Sequence, residues 1–317
     1  MVGLAEWTDE KEILFPEMTA LIIGLLIIDK RVWNVKRWQI ILLMTLGAAV
    51  GICIVRYSPL PYVVNLCAAF AFAGASLLIS RATLIPLISA CVLPVLLHTE
   101  SIVYPIAVFS MSVSVVLVQI ILEKCGIRKR MPKPVDRKPG KEDIIRWLIL
   151  FCFVGALAEL AVGMDYPYLI LPPLMVTFVE MVNSKAGFRN RPTQVFLFLT
   201  TAATLGTVLQ IVGHYHLHLP ESIVALTIAA ILFLIFEWTG KFFAPAGALA
   251  FIPMLLPKEN LGWLPLEASI GAALFITIAM VVFQKCYKWN RAQLIFCATP
   301  TLLREYMNRK KREKQIE

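Results

Sequence analysis

The sequence predicts an all-α fold, a polytopic transmembrane bundle of about eleven spans arranged as 5+1+5. Three observations predict it. Of the 317 residues, 59% are apolar and only 16% charged, and the mean hydropathy is +0.75, which gives more long uncharged runs than a soluble core of this length accommodates. The chain is also written twice. Gln39 to Gly51 (QIILLMTLGAAVG) returns as Gln194 to Gly206 (QVFLFLTTAATLG). Pro86, Pro94 and Pro105 return as Pro245, Pro253 and Pro265, and Glu123-Lys124-Cys125 as Gln284-Lys285-Cys286. Finally, the cations fall on one side of the alternating loops.

A helix needs roughly 20 apolar residues to cross a bilayer, somewhat fewer where its ends are anchored. Eleven segments qualify, at about 13–28, 38–55, 62–80, 82–97, 102–122, 144–163, 167–182, 193–212, 222–239, 242–256 and 264–284. The first five form one repeat (1–123) and the last five the other (167–285). Between them lie a linker and an unpaired helix (124–166), and a tail (286–317) follows. An odd number of spans per repeat, restored by the unpaired helix, makes both repeats point the same way about a pseudo-twofold axis along the membrane normal.

Orientation follows from Lys and Arg. With the N-terminus outside, the inner loops 29–37, 81, 123–146, 183–191, 240–241 and the tail from 285 carry 4, 1, 9, 3, 1 and 9 of them. Only Lys11, Arg56 and Lys258 are left outside, a bias that places the C-terminus in the cytoplasm of a multi-pass cell-membrane protein. The acidic start (Glu6, Asp9, Glu10, Glu12) lacks the basic flank of a cleaved signal, so the first segment is read as a retained span. The same count decides that 82–97 and 242–256, short and bearing two prolines each, cross rather than loop back. If neither crossed, the nine-cation linker would face outward.

The linker 124–143 (KCGIRKRMPKPVDRKPGKED) is basic and proline-bearing, a cytoplasmic connector suited to anionic lipids. The tail 286–317 alternates apolar and basic residues around Pro300 and reads as an interfacial helix on the inner leaflet. These positions account for the formal charge of +9 without a nucleic-acid partner. The seven cysteines form no CxxC pair and read as small packing residues, Cys125 and Cys286 at equivalent places. His214, His216 and His218 (HYHLH) would share one face of an extended loop and offer a metal or pH site, but no carboxylate or cysteine accompanies them. The plainer reading is a polar loop at headgroup level.

Carboxylates in or near spans are costly unless they face a cavity or a partner. By position in the sequence Glu159 is the deepest. Glu17 and Glu267 fall toward the outer boundary, and Asp29, Glu180 and Glu237 toward the inner one, Glu237 with Lys241 four residues on. Thr45 and Thr200 recur at one repeat position, either as hydroxyl contacts to a solute or bonded to their own helix backbone.

The short segments are the main functional lead. One reads Arg81-Ala82-Thr83-Leu84-Ile85-Pro86-Leu87-Ile88-Ser89, the other Lys241-Phe242-Phe243-Ala244-Pro245-Ala246-Gly247-Ala248. Proline disfavours helix in the residue before it and suits the first turn. Each segment is therefore expected to run extended and start its helix at the proline, inside the membrane, with free amides facing Arg81 or Lys241, an arrangement suited to a small anion. The alternative is a proline-kinked helix packed in the bundle.

At these residues the chain resembles the HPP membrane proteins, whose signature is His-Pro-Pro followed by small Ala-Gly-Ala-like residues at the start of a late short span. Phe243-Ala244-Pro245-Ala246-Gly247-Ala248 occupies that place, and Leu261-Gly262-Trp263 precedes the last span. Leu171-Pro172-Pro173 and Asn190-Arg191-Pro192 stand where that family has its opening span and the loop after it. The likeness covers both repeats, most clearly 167–284. Phe243 replaces the signature His and Ala244 the first Pro, with Leu84, Ile85 and Pro86 at the corresponding places of repeat one, so a role needing that imidazole does not carry over. Members of the family are assigned to nitrite transport, and the resemblance implies a transporter or channel for a small anion.

The expected site lies where the repeats meet: Arg81, Thr83, Pro86, Ser89, Lys241, Pro245, Gly247, Thr45, Thr200 and Glu180. The competing expectation is a scaffold that binds a cytoplasmic partner through linker and tail. No Ser/His/Asp arrangement, metal-ligand spacing or acid pair points to an enzyme, and no cofactor is expected.

Overall fold

A computed structural model describes residues 2–8, 10–28, 31–132, 134–135, 138–183 and 191–287. The expected interfacial tail, Asp29 and Asn190 lie outside the described residues, as do the side chains of Gln284-Lys285-Cys286. Every element is helical, and no strand occurs among the described residues.

In chain order the α-helices are α1 (Val2–Thr8), α2 (Glu17–Ile22), α3 (Arg37–Tyr57), α4 (Tyr62–Ser80), α5 (Leu87–Leu97), α6 (Val103–Lys124) and α7 (Lys141–Gly163). They continue as α8 (Pro172–Asn183), α9 (Pro192–Leu209), α10 (Glu221–Thr239), α11 (Ala244–Phe251), α12 (Lys258–Leu261) and α13 (Leu264–Tyr287). A π-helical turn, Ile23–Ile27, extends α2, and another, Gln210–His216, extends α9. Among the described residues, α3, α4, α6, α7, α9 with its extension, α10 and α13 are long and apolar enough to cross a membrane. Leu87–Leu97, Pro167–Asn183 and Ala244–Met254 are apolar but shorter. An 11-residue helix rises about 16 Å, roughly half a hydrocarbon core.

The long helices have hydrophobic side chains all round, so what selects their buried faces is side-chain size. On α3 the buried residues are Ile40, Leu43, Met44, Gly47, Ala48, Gly51 and Ile52, an i, i+3, i+4, i+7 stripe that turns toward α5 and α6. Apolar surface gains little by moving from lipid to protein, so close backbone approach through small residues becomes the means of association. Gly51 lies against the Cys91 carbonyl and Pro94 of α5; Gly206 of α9 lies against the Ala250 carbonyl and Pro253.

Helix α3 packs on α5 and α6, and α4 on α5, while α9 packs on α11 and α13, and α10 on α11. Two shorter elements cross over: α2 packs on α11 as well as on α6, and α8 packs on α5 as well as on α13. Helix α7 lies against α4, where Trp147 covers Gly74 and meets Phe70 with ring centroids 6.0 Å apart. At the opposite end, the Glu6 carboxylate of α1 accepts hydrogen bonds from the amides of Glu221 (3.0 Å) and Ser222 (3.3 Å) and from Ser222 Oγ (3.1 Å), capping α10 across the chain.

Candidate functional site

The half-length helix α5 is placed by two local devices. At the end of α4, Arg81 takes a left-handed conformation (φ 55°), and the amide of Ala82 reaches back to the Leu77 carbonyl (3.1 Å), so the chain turns away from the helix axis. The next residues are non-helical, held because Asn34 N donates to Thr83 Oγ1 (2.7 Å) and Thr83 N to the Asn34 carbonyl (3.2 Å), and Ile85 N turns back to the Thr83 carbonyl (3.0 Å). Pro86 then caps α5. Helix α10 ends the same way at Gly240 (φ 64°), Phe243 is extended (φ −122°, ψ 102°), and Pro245 falls in the first turn of α11. Both short segments start helix at or beside their prolines; the entry is extended at Phe243, whereas Thr83 to Pro86 pass through tight turns.

A cavity adjoins each end of α5. On the side of the 124–140 linker, about 320 Å³ is lined by Asn34, Arg81, Thr83, Asp143, Arg146 and Asn183, among others, and reaches Ile85. Arg146 binds the Asp143 carboxylate (3.1 Å) and faces Asn183 Oδ1 (3.4 Å). On the far side, about 360 Å³ lies among Lys11, Glu12, His98, Tyr104, Tyr168 and Pro257. Between the two, Leu87 to Val92 are fully buried.

Of the expected residues, Arg81 and Thr83 line the linker-side cavity, and both are exposed. Pro86 and Ser89 are buried at the start of α5. Pro245 and Gly247 are buried on α11, where Gly247 leaves room for Ile23 and Thr19 of α2. Lys241 Nζ donates to Gln194 Oε1 (2.7 Å), away from Arg81. At the end of α10 the left-handed residue is Gly240, one position before Lys241, whereas at the end of α4 it is Arg81 itself. Thr45 and Thr200 are half-buried, and neither Oγ1 finds a hydrogen-bond partner among the described residues, their own backbones included. Glu180 accepts a hydrogen bond from Trp33 Nε1 (3.3 Å). Lys241, Pro245, Thr45, Thr200 and Glu180 line neither of these cavities.

Most of the free amides expected at the start of α5 are occupied. Leu87 N donates to the Leu84 carbonyl (3.1 Å) and Ile88 N to the Ile85 carbonyl (3.0 Å), and Leu84 and Leu87 are wholly buried over them. Ala90 N donates to the Pro86 carbonyl (3.2 Å), so this first turn spends most of its donors within itself.

The deepest carboxylate is Glu17, not Glu159. Glu159 is exposed on α7, whereas Glu17 is 1% exposed at the start of α2. It neighbours Ser89 of α5 and Tyr104 of α6. Neither Glu17 oxygen nor Ser89 Oγ completes a hydrogen bond of good geometry among the described residues. Tyr104 donates to the Ala90 carbonyl (3.2 Å), packs edge-on against Phe15 (5.9 Å) and lines the far-side cavity. The histidines lie not in an extended loop but in and beside a π-helical turn, His214 against the Leu219 carbonyl (3.1 Å) and His216 against that of Ile211 (2.8 Å). No cluster of three potential metal ligands forms among the described residues.

A further linker-side cavity of about 280 Å³ gathers Arg31, Trp33, Lys36, Arg37 and Gln119. Glu123 partly neutralises it, accepting from Arg37 (2.6 Å) and Gln119 (3.1 Å). Burial and the nearby Arg37 lower the Arg31 guanidinium from its ordinary value against the pull of Glu123. Trp33 carries this cavity to Glu180 on the other side of its indole.

No protein-family model, no curated protein and no solved structure matches the chain.

Proposed function

We propose that this chain is a membrane transporter for a small solute, in first place a small inorganic anion. The observation that carries this reading is the pair of cavities at opposite ends of α5, separated by one buried band of Leu87 to Val92. A sealed centre with an approach from each face is the arrangement alternating access requires. The linker-side approach carries Arg81 and Arg146 against a single carboxylate, Asp143, which favours an anion there.

In this reading the two five-helix units are tandem repeats. The left-handed caps at Arg81 and Gly240, the proline-led short helices and the matching approaches of Gly51 and Gly206 support it. The crossing of α2 onto α11 and of α8 onto α5 would then be one exchange made twice. Eleven segments cross, α2, α5, α8 and α11 as short spans within the protein, with the linker and C-terminus cytoplasmic, beside anionic lipids. The likeness to HPP proteins fits a small anion, and buried Phe243 at the signature histidine position removes an imidazole from the mechanism.

One observation favours a second reading. The seam around α5 is buried and apolar enough to serve as a permanent scaffold, with linker and tail holding a cytoplasmic partner. Flux in proteoliposomes separates the two. Nitrite, nitrate, chloride and phosphate are offered to the wild type and to R81Q/R146Q. The transporter reading expects uptake of at least one, reduced roughly 10- to 100-fold by loss of charge-assisted hydrogen bonds. No uptake of any of them, together with a partner copurifying through the tail, supports the scaffold.

A further inference from the structure

The residue this mechanism has not used is Glu17. It is 1% exposed, its two carboxylate oxygens lack hydrogen-bond partners among the described residues, and it stands where three elements meet. From α5 it faces the Ser89 hydroxyl, itself buried and unpartnered. From α6 it faces the Tyr104 phenol, the one titratable side chain beside it. Helix α11 meets α2 through Gly247 against Thr19 and Ile23, and its segment APAGALAF holds no ionisable side chain. On its own stretch the nearest charged residues, Lys11 and Glu12, line the far-side cavity rather than binding it.

A carboxylate buried this deeply, with no cation beside it among the described residues and only the Ser89 hydroxyl to face, costs several kcal/mol or more in its charged form, so the resting side chain holds a proton. Tyr104 is the only named group both beside Glu17 and on the wall of the far-side cavity. Its phenol, tied to the Ala90 carbonyl, stands between water and the carboxyl. Helix α2 is the element best able to change this. It packs on α11 and α6, and it ends in a π-helical turn, a distortion common at functional sites.

We infer that Glu17 is a reversible proton-binding site, reached from the far-side cavity past Tyr104, and that one proton moves with each transport cycle. This rests on the transporter reading for its second half only. In the cycle, Glu17 takes one H⁺ from cavity water when the Tyr104 contact opens. It gives the same proton up when α2 has shifted relative to α5 and the other face is open, so that the carboxylate left behind faces water on that side rather than a sealed interior. Ser89 Oγ is the donor that holds the carboxylate during the exchange.

The probe is dicyclohexylcarbodiimide, which enters membranes and reacts with protonated carboxyls, applied to the full chain in proteoliposomes and read by mass on the peptide containing Glu17. Labelling is expected near neutral pH, absent in E17Q, declining as pH rises, and at least several-fold faster in Y104A. E17Q is close to isosteric, and its elution from a sizing column with wild type confirms that it folds. No labelling at any pH, or labelling indifferent to pH, overturns the inference. So does protection by sodium at fixed pH, which would make the site a metal-cation site. An internal pH dye then reports coupling. Anion flux without a proton signal overturns the coupling and leaves the transporter reading intact. Failure of all anions to move sinks that reading and not the proton site, which the labelling decides.

Discussion

Gly51 on α3 lies so close to the carbonyl oxygen of Cys91 on α5 that a methyl group there would have to displace it. Backbone, not a flexible side chain, is the obstacle, and α5 is walled by buried neighbours on every side. Gly206 makes the same approach to Ala250 on α11. We expect G51A and G206A each to cost about 1–3 kcal/mol by overpacking, read as lower thermal stability in detergent. Gly163, with open space at its Cβ position, is the control, and G163A should change stability by less than about 0.5 kcal/mol. Equal tolerance of all three would mean that the helices stand further apart than described.

Glu6 predicts a pH dependence. Burial pushes its carboxyl up, but the hydrogen bonds from Glu221 N, Ser222 N and Ser222 Oγ, with His214 nearby, outweigh this, and the net shift is below the ordinary 4.5. A lowered folded value means stability that is complete above the unfolded value and is lost as pH falls through the folded one. The difference in melting temperature between wild type and E6A should therefore be constant from about pH 6 to 8 and shrink below about pH 4.5, where both forms lack the charge. Near neutral pH the capping loss is about 1 kcal/mol. A gap that widened on acidification would contradict the sign.

Trp33 and Glu180 give a pairwise test. The indole Nε1 donates to the carboxylate at 3.3 Å, while Trp33 is buried and its ring fills the space at Gly24. W33F keeps most of the packing and removes the donor. The double-mutant cycle with E180Q should give a coupling of about 1 kcal/mol in denaturant unfolding. Additivity within about 0.3 kcal/mol would reduce the contact to simple packing.

What the sequence made legible follows from which constraints are local. Pro86 and Pro245 announce where the short helices begin because the pyrrolidine ring suits the first turn wherever it occurs, and α5 and α11 do begin at or beside these residues. Glu17 was not legible as the buried acid. Its neighbours are Ser89 of α5 and Tyr104 of α6, both far along the chain, and periodicity carries no trace of such contacts. Glu159 misled for the related reason that position along a helix says nothing of azimuth, and its side of α7 is exposed. Nor was it legible that Arg81 itself takes the left-handed conformation that Gly240, not Lys241, takes after α10, because a positive φ at a non-glycine residue is imposed by the turn.

The last prediction concerns the seal itself. Thr83 is exposed at the linker-side cavity and Thr99 lines the far-side one, while Ser89 between them is wholly buried. In a background with the seven native cysteines replaced, T83C and T99C should each react with a membrane-impermeant maleimide, but from opposite faces of the membrane. S89C should react from neither in the resting protein. If the charge bias sets the topology, T83C is the one reached from the cytoplasm in inverted vesicles. A transported anion should raise S89C reactivity several-fold, because exchange between inward- and outward-open forms exposes the band to each face in turn. S89C reacting freely from one side at rest would mean that α5 is no barrier, and the two cavities would then be a single cleft.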